Sequence, residues 1–106
     1  MQPGTYTRDW RDVVVYTAPG PQPVLLVDEP DLRVIIGGLE PGAQVPEHPA
    51  PRAIYTALEG EGTFLLDGEA VPFNAGAVVV APAGSVRGIK AITRLAFLGV
   101  RIGSSG

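Results

Sequence analysis

His48 is the single histidine of a 106-residue chain. It lies in the stretch Pro41 to Gly62, PGAQVPEHPAPRAIYTALEGEG. An imidazole near neutral pH can move a proton, ligate a metal or hydrogen-bond an anion. One imidazole does not make a first-row metal site, because such ions need three or four converging imidazole or carboxylate ligands. The chain has no cysteine, which removes disulfides, thiolate catalysis and thiolate zinc sites. There is no G-x-S-x-G and no carboxylate pair at a recognisable spacing. The G-x-G at Gly60-Glu61-Gly62 belongs to a turn with no helix pattern after it, so it is not a phosphate cradle.

The bulk composition narrows the partners. Net charge is −3, and the seven Arg and one Lys are scattered along the chain. With no basic cluster to neutralise a phosphate backbone, nucleic acid is not an expected partner. No apolar run approaches the ~18 residues of a membrane span, and MQPGTYTRDW lacks the basic start and apolar stretch of a signal peptide. No membrane association and a cytoplasmic location are therefore the expectation. A chain of this length supports one hydrophobic core.

The elements that must position His48 are strands. Gly 14 and Pro 11, in a chain with 45% hydrophobic residues, mean many turns, and helical periodicity is almost absent. Val13 to Thr17 reads as a first strand and Val24 to Val27 as a second, closed by Asp28-Glu29-Pro30-Asp31. Leu32 to Leu39 is a third, where Gly37-Gly38 predicts a bulge or a close backbone approach. Arg52 to Leu58 follows the Pro-rich break. Asp67-Gly68 between apolar runs predicts a type I′ hairpin. Ala77 to Ala81, Arg87 to Ala91 and Ile92 to Ile102 complete the set. Residues 1 to 10 read as a loose arm anchored by Trp10, and 103 to 106 as a flexible tail. Short strands punctuated this regularly indicate an all-β sandwich or small barrel.

Two segments carry a resemblance. Gly42 precedes His48 with five residues between them. Gly76, Pro82 and Gly84 are spaced as glycine, five residues, Pro-x-Gly. Together they resemble the two motifs of the cupin superfamily, over roughly residues 33 to 102. The resemblance implies a single cupin-type, jelly-roll-like β-barrel over residues 1–106. The family's metal is held by three histidines and a glutamate. The positions that match here are His48, Ala50, Ala53 (or Ile54, depending on the direction of the count) and Arg87. No metal and no other cofactor is expected from such a set.

The resemblance also turns position 53 and Arg87 toward the interior. Strand alternation then carries Tyr55 and Ala57 inward and Ile54, Thr56 and Leu58 outward. His48, Arg87 and Tyr55 become the candidate ligand-binding residues, and the place beside Ala50 and Ala53 is expected either to be open space or to be filled by Tyr55, Phe64 or Phe97. An Arg facing a partly desolvated cavity needs a partner, either an acid such as Glu47 or Glu40 or an anionic ligand. The favoured function is metal-free binding or sensing of a small, anionic molecule. Two others compete: a metal-independent isomerase or epimerase using His48 as base and Tyr55 as acid, and a degenerate fold kept for dimerisation or interaction alone. For each residue a purely structural role is the competing reading. Finally, the last strand is apolar on both faces, which predicts a homodimer.

Overall fold

The computed structural model describes residues 4–103. Apart from one 3₁₀ turn at Trp10–Asp12, its regular structure is entirely β. The ten strands are β1 (Tyr16–Thr17), β2 (Val24–Glu29), β3 (Leu32–Leu39), β4 (Gln44–Pro49), β5 (Ala53–Glu59), β6 (Gly62–Leu66), β7 (Glu69–Pro72), β8 (Val78–Ala81), β9 (Val86–Ala91) and β10 (Leu95–Ile102). They form a six-stranded sheet in the order β1-β3-β10-β5-β8, with β2 also on β3, and a four-stranded sheet in the order β4-β9-β6-β7. The two sheets face each other without joining by hydrogen bonds into a closed barrel, which makes the fold a jelly-roll sandwich where a barrel was expected.

The core between the sheets is the inward-facing half of each strand. Leu39, Phe64, Phe73 and Leu95 are fully buried, and Phe97, Ile89 and Ala57 nearly so. Phe64 is the centre of an aromatic run, with Tyr55 at 5.1 Å on one side and Phe73 at 5.3 Å on the other. Tilted and edge-on rings at these separations are the favoured geometry for such pairs.

Turn chemistry sets the registers. Asp67 (φ 48°) and Gly68 (φ 86°) both hold positive φ, as a two-residue type I′ turn requires. They bring Leu66 opposite Glu69. Gly37 and Gly38 answer the bulge-or-approach alternative as a close approach. The β3–β10 register runs unbroken past them, and a Cβ on Gly37 would stand 2.5 Å from the Phe97 ring.

Several boundaries differ from the sequence expectation: β2 runs on through Asp28 and Glu29, and β4 is a strand that carries His48 into the Pro-rich break. Val13-Val14-Val15 is not strand, and β1 is only Tyr16–Thr17. The Asp9 side chain accepts a hydrogen bond from the Arg11 backbone N–H and caps the 3₁₀ turn before it. That local cap outweighs the β-propensity of the valines. Ile92 to Arg94 likewise forms a turn, because the backbone N–H groups of Ile92 and Thr93 both bond the Glu61 carbonyl. Of the arm, residues 1–3 lie outside the described residues. Trp10 shares a groove with Ile36, Leu58 and Leu98 on the outer face of the larger sheet. Residues 104–106 of the expected tail also lie outside the described residues.

Candidate functional site

Between the sheets, toward the His48 end, lies a cavity of about 190 Å³. Its walls follow from strand alternation. On the larger sheet the inward rows read Arg33, Arg101 and Ala53, then Ile35, Gly99 and Tyr55, across β3, β10 and β5. On the smaller sheet His48 of β4 stands opposite Arg87 of β9, which stands opposite Leu66 of β6. Phe64, Ile89, Phe97 and Val45 close the apolar end. Tyr55 and Ala57 are inward as expected, so His48, Tyr55 and Arg87 border one space.

Each of the three presents different chemistry to it. His48 is half-buried, with Nδ1 2.9 Å from the Pro46 carbonyl oxygen. A carbonyl only accepts, so Nδ1 carries the proton and the neutral ring keeps its lone pair on Nε2. The Tyr55 ring lies against Phe64 and is accommodated by Gly99, where a Cβ would stand 3.4 Å from the ring. Its hydroxyl makes no protein hydrogen bond among the described residues, and no buried side-chain N or O atom is left unsatisfied.

Arg87 is 1% exposed, and its partner is neither an acid nor an open cavity. Nη1 donates to the Pro51 carbonyl (2.6 Å). Nη2 donates to the carbonyls of Ala50 (2.9 Å) and Pro82 (2.9 Å) and to Ser85 Oγ (2.8 Å), while Nε donates to the Ser85 carbonyl (3.2 Å). The sequence explains the cage. His48-Pro49-Ala50-Pro51 is Pro-rich, and Ala81-Pro82-Ala83-Gly84 adds one more proline. Proline has no N–H to give, so these crossings carry an excess of carbonyl acceptors. A planar fork of five donors satisfies them. Of the acids proposed as partners, Glu40 instead pairs with Arg94 at 3.0 Å, and Glu47 is exposed.

The four positions at which the resemblance implies metal ligands therefore hold one imidazole, two small apolar side chains and a caged guanidinium. That donor set does not fit a metal. Among the described residues no three His, Asp or Glu side chains come together, and no helix is long and apolar enough to cross a membrane.

Two inward residues escaped the sequence reading. Arg33 and Arg101 are direct cross-strand partners, and both border the cavity. Their signal was present: Arg33 is in phase with Ile35, and Arg101 with Phe97 and Gly99. The apolar alternation around them drew attention to their neighbours instead.

Comparison with known proteins places these observations. Residues 36–100 match the family model described as Cupin domain. Among solved structures, a conserved protein of unknown function from Streptococcus pyogenes superposes with a TM-score of 0.85 at 23% identity, covering 99% of this chain and 93% of that one. A protein from Thermus thermophilus gives 0.82 at 20% identity, over 92% of this chain and 97% of that one. An RmlC-like cupin protein from Desulfovibrio desulfuricans gives 0.76 at 24% identity, over 96% of each. At these identities the likeness is one of fold. No curated protein matches the sequence.

Proposed function

The chain belongs to the cupin family, and from that premise we propose that it is a small-molecule binding protein whose ligand occupies the cavity between the two sheets. Family membership alone leaves function open, because one fold hosts many activities. The observation that supports binding is the cavity itself. At about 190 Å³ it exceeds the ~150 Å³ that suffices for a benzene ring in an apolar protein interior. Its lining is mostly aliphatic and aromatic, with His48, Tyr55, Arg33 and Arg101 as the members that carry polar groups not caged by the protein. Apolar walls with a few converging polar groups are the usual composition of a ligand site. Arg87 takes part as wall and frame, holding the loops that carry Ala50, Pro51 and Pro82 in place.

The test is thermal stability against a titration of phenol and benzyl alcohol. Ligand binding to the folded state raises the melting temperature with concentration, and Ala53→Leu, which pushes bulk into the cavity, is expected to remove the rise. If no ring-sized molecule shifts the wild-type transition at millimolar concentration, the cavity is not a binding site.

A second reading rests on one further observation: His48, whose Nδ1 bonds the Pro46 carbonyl, and Tyr55, whose hydroxyl has no protein partner among the described residues, line the same cavity. A base and an acid bordering one cavity are the minimum for a metal-independent isomerase, provided both reach one substrate. Exchange of a substrate carbon-bound proton with solvent, lost in both Tyr55→Phe and His48→Gln, would move the reading from binding to catalysis.

A further inference from the structure

Arg33 and Arg101 face each other across β3 and β10, on the inward side of the sheet and at the border of the cavity. Directly opposed like charges on a sheet destabilise it, so this placement works against the fold unless an anion sits with them. Only part of that anion is supplied by the protein. Asp28 Oδ1 accepts from Arg33 Nε at 3.3 Å, which leaves both terminal nitrogens of Arg33 without a protein partner among the described residues. Arg101 is half-buried and makes no ion pair or hydrogen bond among them. Glu29 is the other acid nearby; it borders the adjoining cleft together with both arginines but pairs with neither.

The surroundings set the shape of the missing anion. Inward from Arg33 the same face continues to Ile35, and inward from Arg101 to Gly99 and Phe97, with Tyr55 beside Gly99. Gly99 lets the Ile35 and Tyr55 side chains pack over the sheet next to the pair, where a Cβ would meet Ile35 at 3.2 Å. A ligand therefore meets charge at one end and apolar wall at the other. Arg87 cannot serve as the cation of this site, because its donors are held by the Pro51, Ala50, Pro82 and Ser85 oxygens.

We propose that the ligand is a small monocarboxylic acid with a ring-sized apolar body, its carboxylate held by Arg33 and Arg101 at the mouth and its body in the cavity. This rests on the cavity-binding reading above and specifies the ligand class. The paired guanidinium forks offer the planar donor geometry that a carboxylate accepts from two sides. The partial exposure of both side chains makes the attraction sensitive to salt.

The experiment compares benzoate with benzamide, nearly the same shape without the charge, by calorimetry and thermal shift on the full chain at low salt. Benzoate is expected to bind about tenfold or more tightly than benzamide, the effect of one charge-assisted contact. Arg101→Gln and Arg33→Gln are each expected to erase that preference while leaving benzamide binding intact. Without ligand, Arg101→Gln is expected to leave the melting temperature unchanged or raise it, because it relieves the like-charge pair. Equal binding of the two probes to wild type, with both lost in Ala53→Leu, would keep the cavity site and overturn the arginine anchor. A preference that survives both substitutions would assign the anchor elsewhere and overturn it too. A fall in ligand-free stability in Arg101→Gln would show Arg101 acting as a structural partner of Glu29, against this proposal. Failure of both probes to bind would remove the cavity reading itself.

Discussion

His48 and Arg87 are register partners on β4 and β9, yet each turns its donors to the backbone. The imidazole bonds the Pro46 carbonyl, and the guanidinium bonds the carbonyls of Ala50, Pro51, Pro82 and Ser85. The pair marks the place where a metal centre would sit in a fold of this kind, and here Arg87 performs a different task. Its side chain reinforces the tie between the loop after β4 and the loop after β8, which are otherwise joined by the Gly84 N–H donating to the Ala50 carbonyl at 2.8 Å.

Arg87 should accordingly be a stability residue first. Arg87→Ala removes the donors to the Pro51 and Ser85 carbonyls, while the Ala50 and Pro82 carbonyls keep the Gly84 and Ser85 N–H groups. Hydrogen bonds from charged groups contribute ~1.5–3 kcal/mol each, so a loss of at least ~3 kcal/mol is expected in urea denaturation. Arg87→Lys should recover only part of it, because an ammonium cannot reproduce a planar fork. Ser85→Ala, which removes one hydroxyl partner at 2.8 Å, should cost ~1 kcal/mol. Arg87→Ala with unchanged stability would mean that the carbonyl cage contributes nothing.

Gly60 tests the turn between β5 and β6. Its φ is +93°, and a Cβ there would run into the Arg94 carbonyl of the neighbouring turn. Both the backbone conformation and the space forbid a side chain, and backbone is slow to yield. Gly60→Ala should therefore destabilise by ~2 kcal/mol or more. Gly68→Ala, with φ +86° but open space around it, should cost only the conformational part, ~1 kcal/mol. Equal midpoints for the two variants in denaturant would contradict the steric argument.

How much of this was legible in the sequence depended on whether the deciding interaction was local. β3 was readable to the residue, because Leu32 to Leu39 is bounded by turn formers on both sides. The Asp67-Gly68 turn was readable because its chemistry lies in two adjacent residues. The inward phase of Tyr55 and Ala57 followed from the pleat. Arg87 was placed in the interior, but its partners came from two loops, one of them 36 residues distant in sequence. Nothing local distinguishes a carbonyl cage from an anion site. The Arg33–Arg101 pair was hidden for a related reason. Each arginine belongs to a strand whose apolar pattern is self-explanatory, and the pairing exists only once β3 and β10 are side by side. The valines of 13–15 misled because a capped 3₁₀ turn decided their conformation from outside the run.

Tyr16 carries a pH dependence. Its hydroxyl donates to Glu59 Oε2 at 3.2 Å, and the Arg94 guanidinium lies 4.4 Å from its ring centroid. Desolvation first, and then the hydrogen bond to the Glu59 carboxylate, raise the phenol above its ordinary value of 10.0, with Arg94 opposing. A raised folded value means that the neutral phenol is the form the fold favours. Its contribution to stability is fully present below about pH 10 and is lost as pH rises through the folded value. Urea midpoints of wild type should thus fall more steeply between pH 9.5 and 11 than those of Tyr16→Phe, taking ~10 as the unfolded reference. Parallel curves would exclude Tyr16 as the titrating group.

The outer face of the larger sheet leads to a prediction about assembly. Trp10 and its arm lie near Ile36, Leu58 and Leu98, but the β8 side of the sheet is bare. Val78 and Val80 are each 61% exposed and Ile102 is 45% exposed. Ile54 stands beside Val80, and Val100 beside Ile54, on the same side. β8 is also an edge strand. An apolar face next to an open edge invites association, and no charged side chain stands in the rows of Ile54, Thr56, Val78, Val80, Leu98 and Val100 to prevent it. A second copy of the chain is the occupant predicted for this surface, because an uncharged patch can be complementary to itself under a two-fold axis. Light scattering at micromolar concentration is expected to give twice the chain mass of 11.0 kDa. Val80→Glu is expected to return the monomer mass while leaving the far-UV spectrum unchanged. A wild-type mass of one chain would refute this interface, and a dimer that persists in both Val80→Glu and Val78→Glu would place it on another face.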